Sequence, residues 1–533
     1  MKRVFNERNN GLFSRLLLTV VVSLVNGNMN QTFLNYFSQI WDIYERAFPL
    51  NPLKNRETEG CPWMTPGLKL CIRRKATLYR MYVRGTILKE EYTHFKNRLT
   101  TLIRRVKRLY YFNLFSSLGN DSSKIWHQIN NLLGNRSQVE MDGLQVDTLY
   151  IKGKDMVDYA NSFFINIAND LTAGLPDEFL PPYSRPNRNT FVFLATDKWE
   201  VIGIIKSLKN KGNGLYDLSV QTVKKNIEIF SEHLAELYNF SVITVTYPDL
   251  LKNARVVLGY KSGAKDSIDN YRPISNLPLL SKIFEKLTLT RLISFVNKYD
   301  LLNCSQFGFR EGRDITQAAV KLTTTVVRAY HDKAYVCCFF LDLRKAFDTV
   351  DHEILLSKMH HQGFRDRINL YLKSYLSGRK QYVQVGDYKS ETLTITKGVP
   401  QGSILGPLLF SLYINDIVDF VNVESVLFAD DAAFVILAPT LQELYNRIKK
   451  LFSDLSKYLL SNKLIPNLKK SKLMFFNSRP KPQLDAILFG DETIEWVDEF
   501  KYLGLLQIAK CLFPVILIKF ALELANILVY FII

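Results

Sequence analysis

Cysteine is scarce, with six residues in 533 (Cys61, Cys71, Cys304, Cys337, Cys338 and Cys511), no CxxC pair and no Cys/His cluster at zinc spacing. That excludes a disulfide scaffold and a zinc finger, and fits a reducing compartment. Acid is in short supply: 51 Asp and Glu stand against 69 Lys and Arg, a formal net charge of +18. A chain so basic suits a polyanionic partner, and composition alone does not separate nucleic acid from an anionic membrane. Internal repeats and low-complexity tracts are absent. Long apolar runs are confined to the two ends. Leu16 to Val25 is apolar apart from Thr19 and Ser23 and follows basic residues, but it has no clear small-residue cleavage site, so secretion is not expected. Cys511 to Ile533 is nearly all apolar, broken by Lys519 and Glu523, and just long enough to span a bilayer.

What is present is ample material for cores. Apolar residues make up 47% and charged residues 23%, which rules out a wholly disordered chain and predicts several domains or one multi-lobed core. An amphipathic helix is predicted around Phe33–Phe48. From Lys69 to Arg108 there are thirteen Lys or Arg against Glu90 and Glu91. Aromatics interleave (Tyr79, Tyr82, Tyr92, Phe95), and Leu99, Leu102, Ile103, Val106 and Leu109 recur at helical spacing. These are predicted to be basic helices. Most charge runs are only a solvated face, yet this excess is larger than solvation needs and suits a nucleic-acid backbone. Pro and Gly breaks place a linker at 171–192. From about 252 to 506, helical patterns alternate with β-branched strands and Gly/Pro turns, predicting an α+β domain.

Three segments carry candidate chemistry. Val336 to Leu341 is apolar and delivers a lone acid, Asp342. A carboxylate in such a place needs a cation, either a Lys or Arg or a metal ion. Asp430 and Asp431 lie between two apolar strands, Ser425–Ala429 and Ala432–Leu437, where a hairpin turns and both acids can face one side. Like charges so close repel unless cations sit between them. Between these segments, Lys397 to Phe410 holds a Gly-rich turn ahead of an apolar helix, which brings backbone close to a ligand or simply reverses the chain. Together they suggest a two-metal site: two Mg²⁺ held by Asp342 and Asp430, about 3.5–4 Å apart, for an in-line phosphoryl displacement. Oxygen-only ligands favour Mg²⁺ over zinc.

These segments resemble the palm motifs of reverse transcriptases in the form found in non-LTR, LINE-like retrotransposons of the jockey type. Phe340-Leu341-Asp342-Leu343 with Ala346-Phe347-Asp348 resembles the first motif. Gly398-Val399-Pro400-Gln401-Gly402-Ser403 with Gly406-Pro407 resembles the second, and Phe428-Ala429-Asp430-Asp431 the third. Asn467, Lys470-Ser471, Met474 and Phe476 resemble the fourth, and Phe500-Lys501-Tyr502-Leu503-Gly504 the hairpin ahead of the thumb. Upstream, Asn270 to Ser275, Leu280 to Lys286 and Gln306 to Arg313 resemble the fingers blocks. Pro62-Trp63-Met64-Thr65 and the basic helices resemble the segment joining endonuclease to polymerase.

The resemblance implies an α+β right-hand polymerase fold, with fingers and palm, a truncated thumb and an N-terminal helical basic extension. It divides the chain into an unassigned segment 1–30, the helical basic extension 31–170, a linker 171–192, a helical pre-fingers region 193–250, fingers and palm 251–506, and an apolar tail 507–533 read as a remnant thumb rather than a membrane anchor. It implies RNA-directed DNA synthesis at a primer 3′-OH. Asp342, Asp430 and Asp431 would be catalytic, with Asp342, the Leu343 carbonyl and Asp430 holding two Mg²⁺ (Mn²⁺ substituting). Lys261, Arg272, Phe347, Gln401, Gly402 and Lys470 would meet the nucleotide. Of these, Arg272 and Lys470 have surface-residue alternatives and Phe347 a core one. Asp348, Asp351 and Asp416 read as caps or ion pairs, and His352 as structural. Partners would be an RNA template, a DNA primer or target DNA and deoxynucleoside triphosphates, with no membrane, in nucleus and cytoplasm.

The sequence departs from the pattern in three ways. No segment is long enough for an endonuclease. Leu258, Gly259 and Ala264 replace the usual residues ahead of Arg272. The thumb pattern is lost after Gly504. The alternative is therefore a nucleic-acid-binding remnant without catalysis. An RNA-copying RNA polymerase fits less well, because Phe347 stands five residues after Asp342, where those enzymes place an Asp.

Overall fold

The structure, a computed structural model, describes residues 2–3, 5–51, 61–119, 122–132, 141–175, 186–209, 218–476 and 484–508. Most of the apolar tail, the centre of the predicted linker and the 210–217 loop lie outside them. Contacts divide the chain into two units, Met1–Asn9 with Glu45–Glu140, and Asn10–Tyr44 with Met141–Ile533. Helices α1 (Glu7–Leu17) and α2 (Met29–Ala47) run across that division in sequence. Helix α1 stops at the start of the Leu16–Val25 apolar run, and α2 covers the helix predicted at 33–48. No helix among the described residues is long and apolar enough to cross a membrane.

The first unit pairs strands β1 (Lys2–Arg3) and β2 (Leu50–Asn51). Its main feature is the basic helical hairpin α3 (Pro66–Val83) and α4 (Lys89–Ser117), followed by α5 (Ser122–Leu132). Thr65 caps α3 by accepting from the Leu68 N–H, and Pro66 opens its first turn, where a missing N–H costs nothing. Glu90 and Glu91 sit in the first turn of α4, where acids suit the helix dipole. Of the predicted apolar stripe only Leu99 is buried, while Leu102 and Leu109 stay exposed. All thirteen cations between 69 and 108 are exposed except Lys75, which is half-buried.

The second unit opens with the β3 (Leu144–Val146) and β4 (Leu149–Ile151) hairpin and helix α6 (Gly153–Thr172). Helices α7 (Lys198–Ser207), α8 (Val220–Lys225) and α9 (Ile227–Ile243) follow. Part of the predicted linker is held in place: the Phe191 N–H donates to Gly363 O at 2.9 Å and Asn187 N–H to His361 O at 3.1 Å.

Then come β5 (Asn253–Tyr260), β6 (Tyr271–Asn276), α10 (Leu279–Lys298), α11 (Ile315–His331), β7 (Tyr335–Leu341), α12 (His352–His361) and α13 (Arg367–Leu376). Strands β8 (Arg379–Val385), β9 (Tyr388–Lys389) and β10 (Leu393–Ile395) precede α14 (Gly406–Ile414) and α15 (Ile417–Val421). The chain continues through β11 (Glu424–Phe428), β12 (Asp431–Ala438), α16 (Leu441–Ser461), β13 (Lys472–Phe476), β14 (Ile487–Phe489), β15 (Glu492–Val497), β16 (Glu499–Tyr502) and β17 (Leu505–Ile508).

Two sheets organise this unit. The larger has the order β11-β12-β7-β13-β15-β14, with β7 antiparallel to both neighbours. Strand β7 is apolar throughout because helices cover both its faces. Val336, Cys338 and Phe340 meet Leu322 and Val326 of α11. On the opposite face Phe339 packs against Phe452 of α16, ring centroids 4.7 Å apart. The smaller sheet has the order β10-β8-β5-β6, and α6 covers it through Val157, Ala160 and Phe164. The predicted α+β class holds.

Candidate active site

Asp342 is the first residue beyond β7, where the strand leaves its helical cover. The 465–471 segment clamps it. Asn467 N–H donates to the Asp342 carbonyl at 2.8 Å, and Asn467 Nδ2 donates to Asp342 Oδ2 at 2.8 Å. The Asp342 N–H donates to Ser471 Oγ at 3.2 Å. Of the two partners the sequence left open, a Lys or Arg and a metal ion, the first is not seen: among the described residues Asp342 forms no ion pair, and a neutral amide binds its Oδ2. In the sequence Asn467 and Ser471 stand as motif residues with no stated role. Their only signal is a polar pair flanking an otherwise basic turn.

Asp430 and Asp431 lie where predicted, at a hairpin. Phe428 pairs with Asp431, so Ala429 and Asp430 form a two-residue turn. Ala429 adopts φ +59°, a left-handed conformation that a side-chain-bearing residue keeps only when its surroundings impose it. The imposing residues are Gln306 and Gly308. Gln306 Oε1 accepts from the Ala429 N–H at 3.2 Å and the Gly308 N–H at 2.9 Å. A Cβ on Gly308 would stand 2.3 Å from the Ala429 nitrogen, so only glycine allows this approach. The fingers-like Gln306 block thus supports the acidic turn, a role the sequence did not reveal.

A cavity of about 560 Å³ brings the predicted residues together: Lys261, Arg272, Asp342, Leu343, Phe347, Gln401, Gly402, Asp430 and Lys470 all line it. Asp431 lines a neighbouring cavity of about 650 Å³ instead, with Asp342, Lys470 and Lys501. The cations come from the smaller sheet and the loop after α16. Arg272 is on β6 opposite Gly259, and Lys261 directly follows β5, its N–H donating to Asn270 O at 2.9 Å.

The charges polarise the cavity. Loss of hydration, with Asp342 repulsion second, holds the Asp430 carboxyl above its usual range. The same two causes, joined by Asp430, push Asp431 up to about 6. Burial, then Lys470 and Arg272, hold Lys261 below its usual range. Both sets of groups carry like charges that an added counter-charge would relieve. Among the described residues no three His, Cys, Asp or Glu side chains gather at metal-binding spacing. The oxygen donors of Asp342 and Asp430 share one cavity and form no ion pair among the described residues, a donor set that suits a hard divalent cation.

The Gly-rich turn closes the site. His352 Nε2 meets Gly398 O at 2.7 Å, a structural role as predicted. Gly402 has φ +108°, and a Cβ there would stand 2.7 Å from Ser275 O of β6. Phe347 stacks on Phe410 of α14 at 4.6 Å and meets Phe309 edge-on at 6.3 Å, a half-buried ring in the cavity wall. Of the three acids read as caps or ion pairs, Asp351 caps α12 and pairs with Lys463 at 3.0 Å, and Asp416 pairs with buried Lys358 at 2.6 Å. Asp348 differs: it accepts from Gln401 Nε2 and neither caps a helix nor pairs with a cation among the described residues.

Residues 261–506 match the family described as reverse transcriptase (RNA-dependent DNA polymerase). The chain is 36% identical over 220 residues to a probable RNA-directed DNA polymerase from transposon BS of Drosophila melanogaster, covering 41% of this chain and 24% of that protein. It is 37% identical over 212 residues to the RNA-directed DNA polymerase from mobile element jockey of the same fly, covering 38% and 23%. A jockey polymerase of Drosophila funebris matches over 317 residues at 26% identity, covering 58% and 34%. The chain thus spans about a quarter to a third of the length of these relatives. Matching residues, ordered motifs and the acids gathered beside β7 agree: residues 261–506 match the reverse transcriptase family, and the chain is similar to the polymerases of transposon BS and mobile element jockey.

Proposed function

We propose that this chain copies RNA into DNA, adding deoxynucleotides to a primer 3′-OH with release of pyrophosphate. The observation that carries the reading is the cavity that sets Asp342 and Asp430 against Lys261, Arg272 and Lys470. Asp342, the Leu343 carbonyl and Asp430 would hold divalent cations, Mg²⁺ by the hardness of the donors, with Mn²⁺ substituting. When bound, such ions neutralise charge on the attacking and leaving oxygens of an in-line displacement. Lys261, Arg272 and Lys470 meet the triphosphate as fixed cations, which favours the more highly charged transition state. Phe347 stands as a wall where a ribose 2′-hydroxyl would go, so discrimination against ribonucleotides comes from a clash. Asp431 and the lysines of the neighbouring cavity would face the primer end. The α3–α4 hairpin, with exposed cations and the Tyr82–Tyr92 stack, would contact RNA backbone and bases.

Primer extension by the purified chain on an RNA template tests this. Extension dependent on deoxynucleotides and on Mg²⁺ or Mn²⁺ is the expected result. Tight RNA binding without any extension would instead support a binding remnant.

A further inference from the structure

The motifs put Gln401 on the cavity wall, but they do not explain what orients it. Its backbone is fixed by β6: the Ser275 N–H donates to Gln401 O at 2.8 Å. Among the described residues its side chain is held by one residue. Gln401 Nε2 donates to both carboxylate oxygens of Asp348, at 3.2 and 3.1 Å. An ionised carboxylate only accepts, so flipping the amide would set its oxygen against two others. Asp348 therefore holds the Nε2 side of the carboxamide, by one N–H shared between its two oxygens, and fixes which side of the group Oε1, the acceptor, takes.

We propose that Asp348 is a positioning residue for nucleotide selection: it locks Gln401 so that the carboxamide oxygen, an acceptor, receives donor groups of the incoming nucleotide. Asp348 does not line the nucleotide cavity. It lines a separate void of about 40 Å³ under the turn, with Arg379, Gln381, Lys397 and Gln401. Arg379 is 1% exposed, and its Nε and Nη2 have no hydrogen-bond partner among the described residues. Burial pushes Asp348 up to about 6, while Lys345 and the Gln401 bond pull it down. At neutral pH it is ionised, as the lock requires. The two side chains come from different motifs, joined only by the fold.

The inference rests on reading the 560 Å³ cavity as the nucleotide site. Single-nucleotide extension by the full chain, comparing Asp348→Ala, Gln401→Ala and the double variant, separates the two. Each single change is expected to raise the deoxynucleotide KM about tenfold, more than it lowers kcat. Because Asp348 acts through Gln401, the double variant is expected to match Gln401→Ala alone. Asp348→Asn keeps one acceptor for Nε2 and is expected to fall between wild type and Asp348→Ala. Should Asp348→Ala fail to fold, Asp348→Asn carries the same cycle. If Gln401→Ala leaves KM unchanged, the nucleotide reading of the cavity falls, and the inference with it. If Gln401→Ala raises KM while the Asp348 variants are silent, or their effects multiply in the double variant, the inference alone falls.

Discussion

Asn467 binds Asp342 twice, its backbone N–H reaching the Asp342 carbonyl and its side-chain amide reaching Oδ2, both at 2.8 Å. The second bond fixes one carboxylate oxygen of a residue that lines the cavity. Asn467→Ala keeps the backbone bond and removes the aim. We expect kcat to fall about 10- to 100-fold, in the range seen when a support of a metal ligand is removed, with a smaller change in nucleotide KM. Steady-state extension kinetics check this, and an unchanged kcat would show that Asp342 is aimed by other means.

Under the proposed function, Phe347 would join stability to sugar choice. Phe347→Val opens the wall and also removes the stack on Phe410. Ribonucleotide incorporation is expected to rise by orders of magnitude relative to deoxyribonucleotide. Stability should fall by about 2 kcal/mol, as for a truncated aromatic that is not fully buried. Single-nucleotide incorporation and thermal unfolding measure the two effects. A variant that loses stability but still rejects ribonucleotides would leave Phe347 a core residue only.

Asp348 gives a pH signature. Its carboxyl is raised from 3.8 to about 6, with burial the main cause, and Lys345, Arg379 and Lys397 stand around it. Between those values the folded chain keeps a proton that the unfolded chain has lost. This site therefore costs stability progressively as pH rises through the window, and Asp348→Asn should unfold at higher temperature than wild type at pH 7. The lock on Gln401 runs the other way, engaging above about 6. The wild-type nucleotide KM should rise as pH falls below about 6, by a larger factor than in Asp348→Asn. Parallel KM profiles for the two proteins would contradict this.

The basic hairpin tests separately. Deleting residues 69–108 should weaken binding to single-stranded RNA and flatten its salt dependence by about 0.7 in the log–log slope for each phosphate no longer neutralised. Titrations at several salt concentrations give the slope. An unchanged slope would leave α3 and α4 with a merely solvated surface.

Much of the candidate site was legible because its patterns are rare. An acid ending an apolar strand and a doubled Asp between two apolar strands have few structural explanations, and Asp342 and Asp430 line the same cavity. The supports were not legible. Gln306 reaches Ala429 across 123 residues, Asn467 reaches Asp342 across 125, and Gln401 reaches Asp348 across 53. Each is a neutral amide, and a lone Asn or Gln has no sequence signal for a distant partner. A cation is the expected partner for Asp342 because burial favours ion pairs, yet an amide satisfies one oxygen without neutralising the charge. Helices α3 and α4 were legible from their spacing. Their apolar stripe overstated burial, since only Leu99 is covered within its unit.

The most direct measurement is primer extension by Asp342→Asn and Asp430→Asn in Mg²⁺ and in Mn²⁺, with RNA binding measured alongside. Each change keeps the shape of the side chain and removes the charge a divalent cation must meet. Both variants should bind RNA as wild type does and extend no primer, whichever metal is supplied. Extension near the wild-type rate by either variant would contradict the two-carboxylate site.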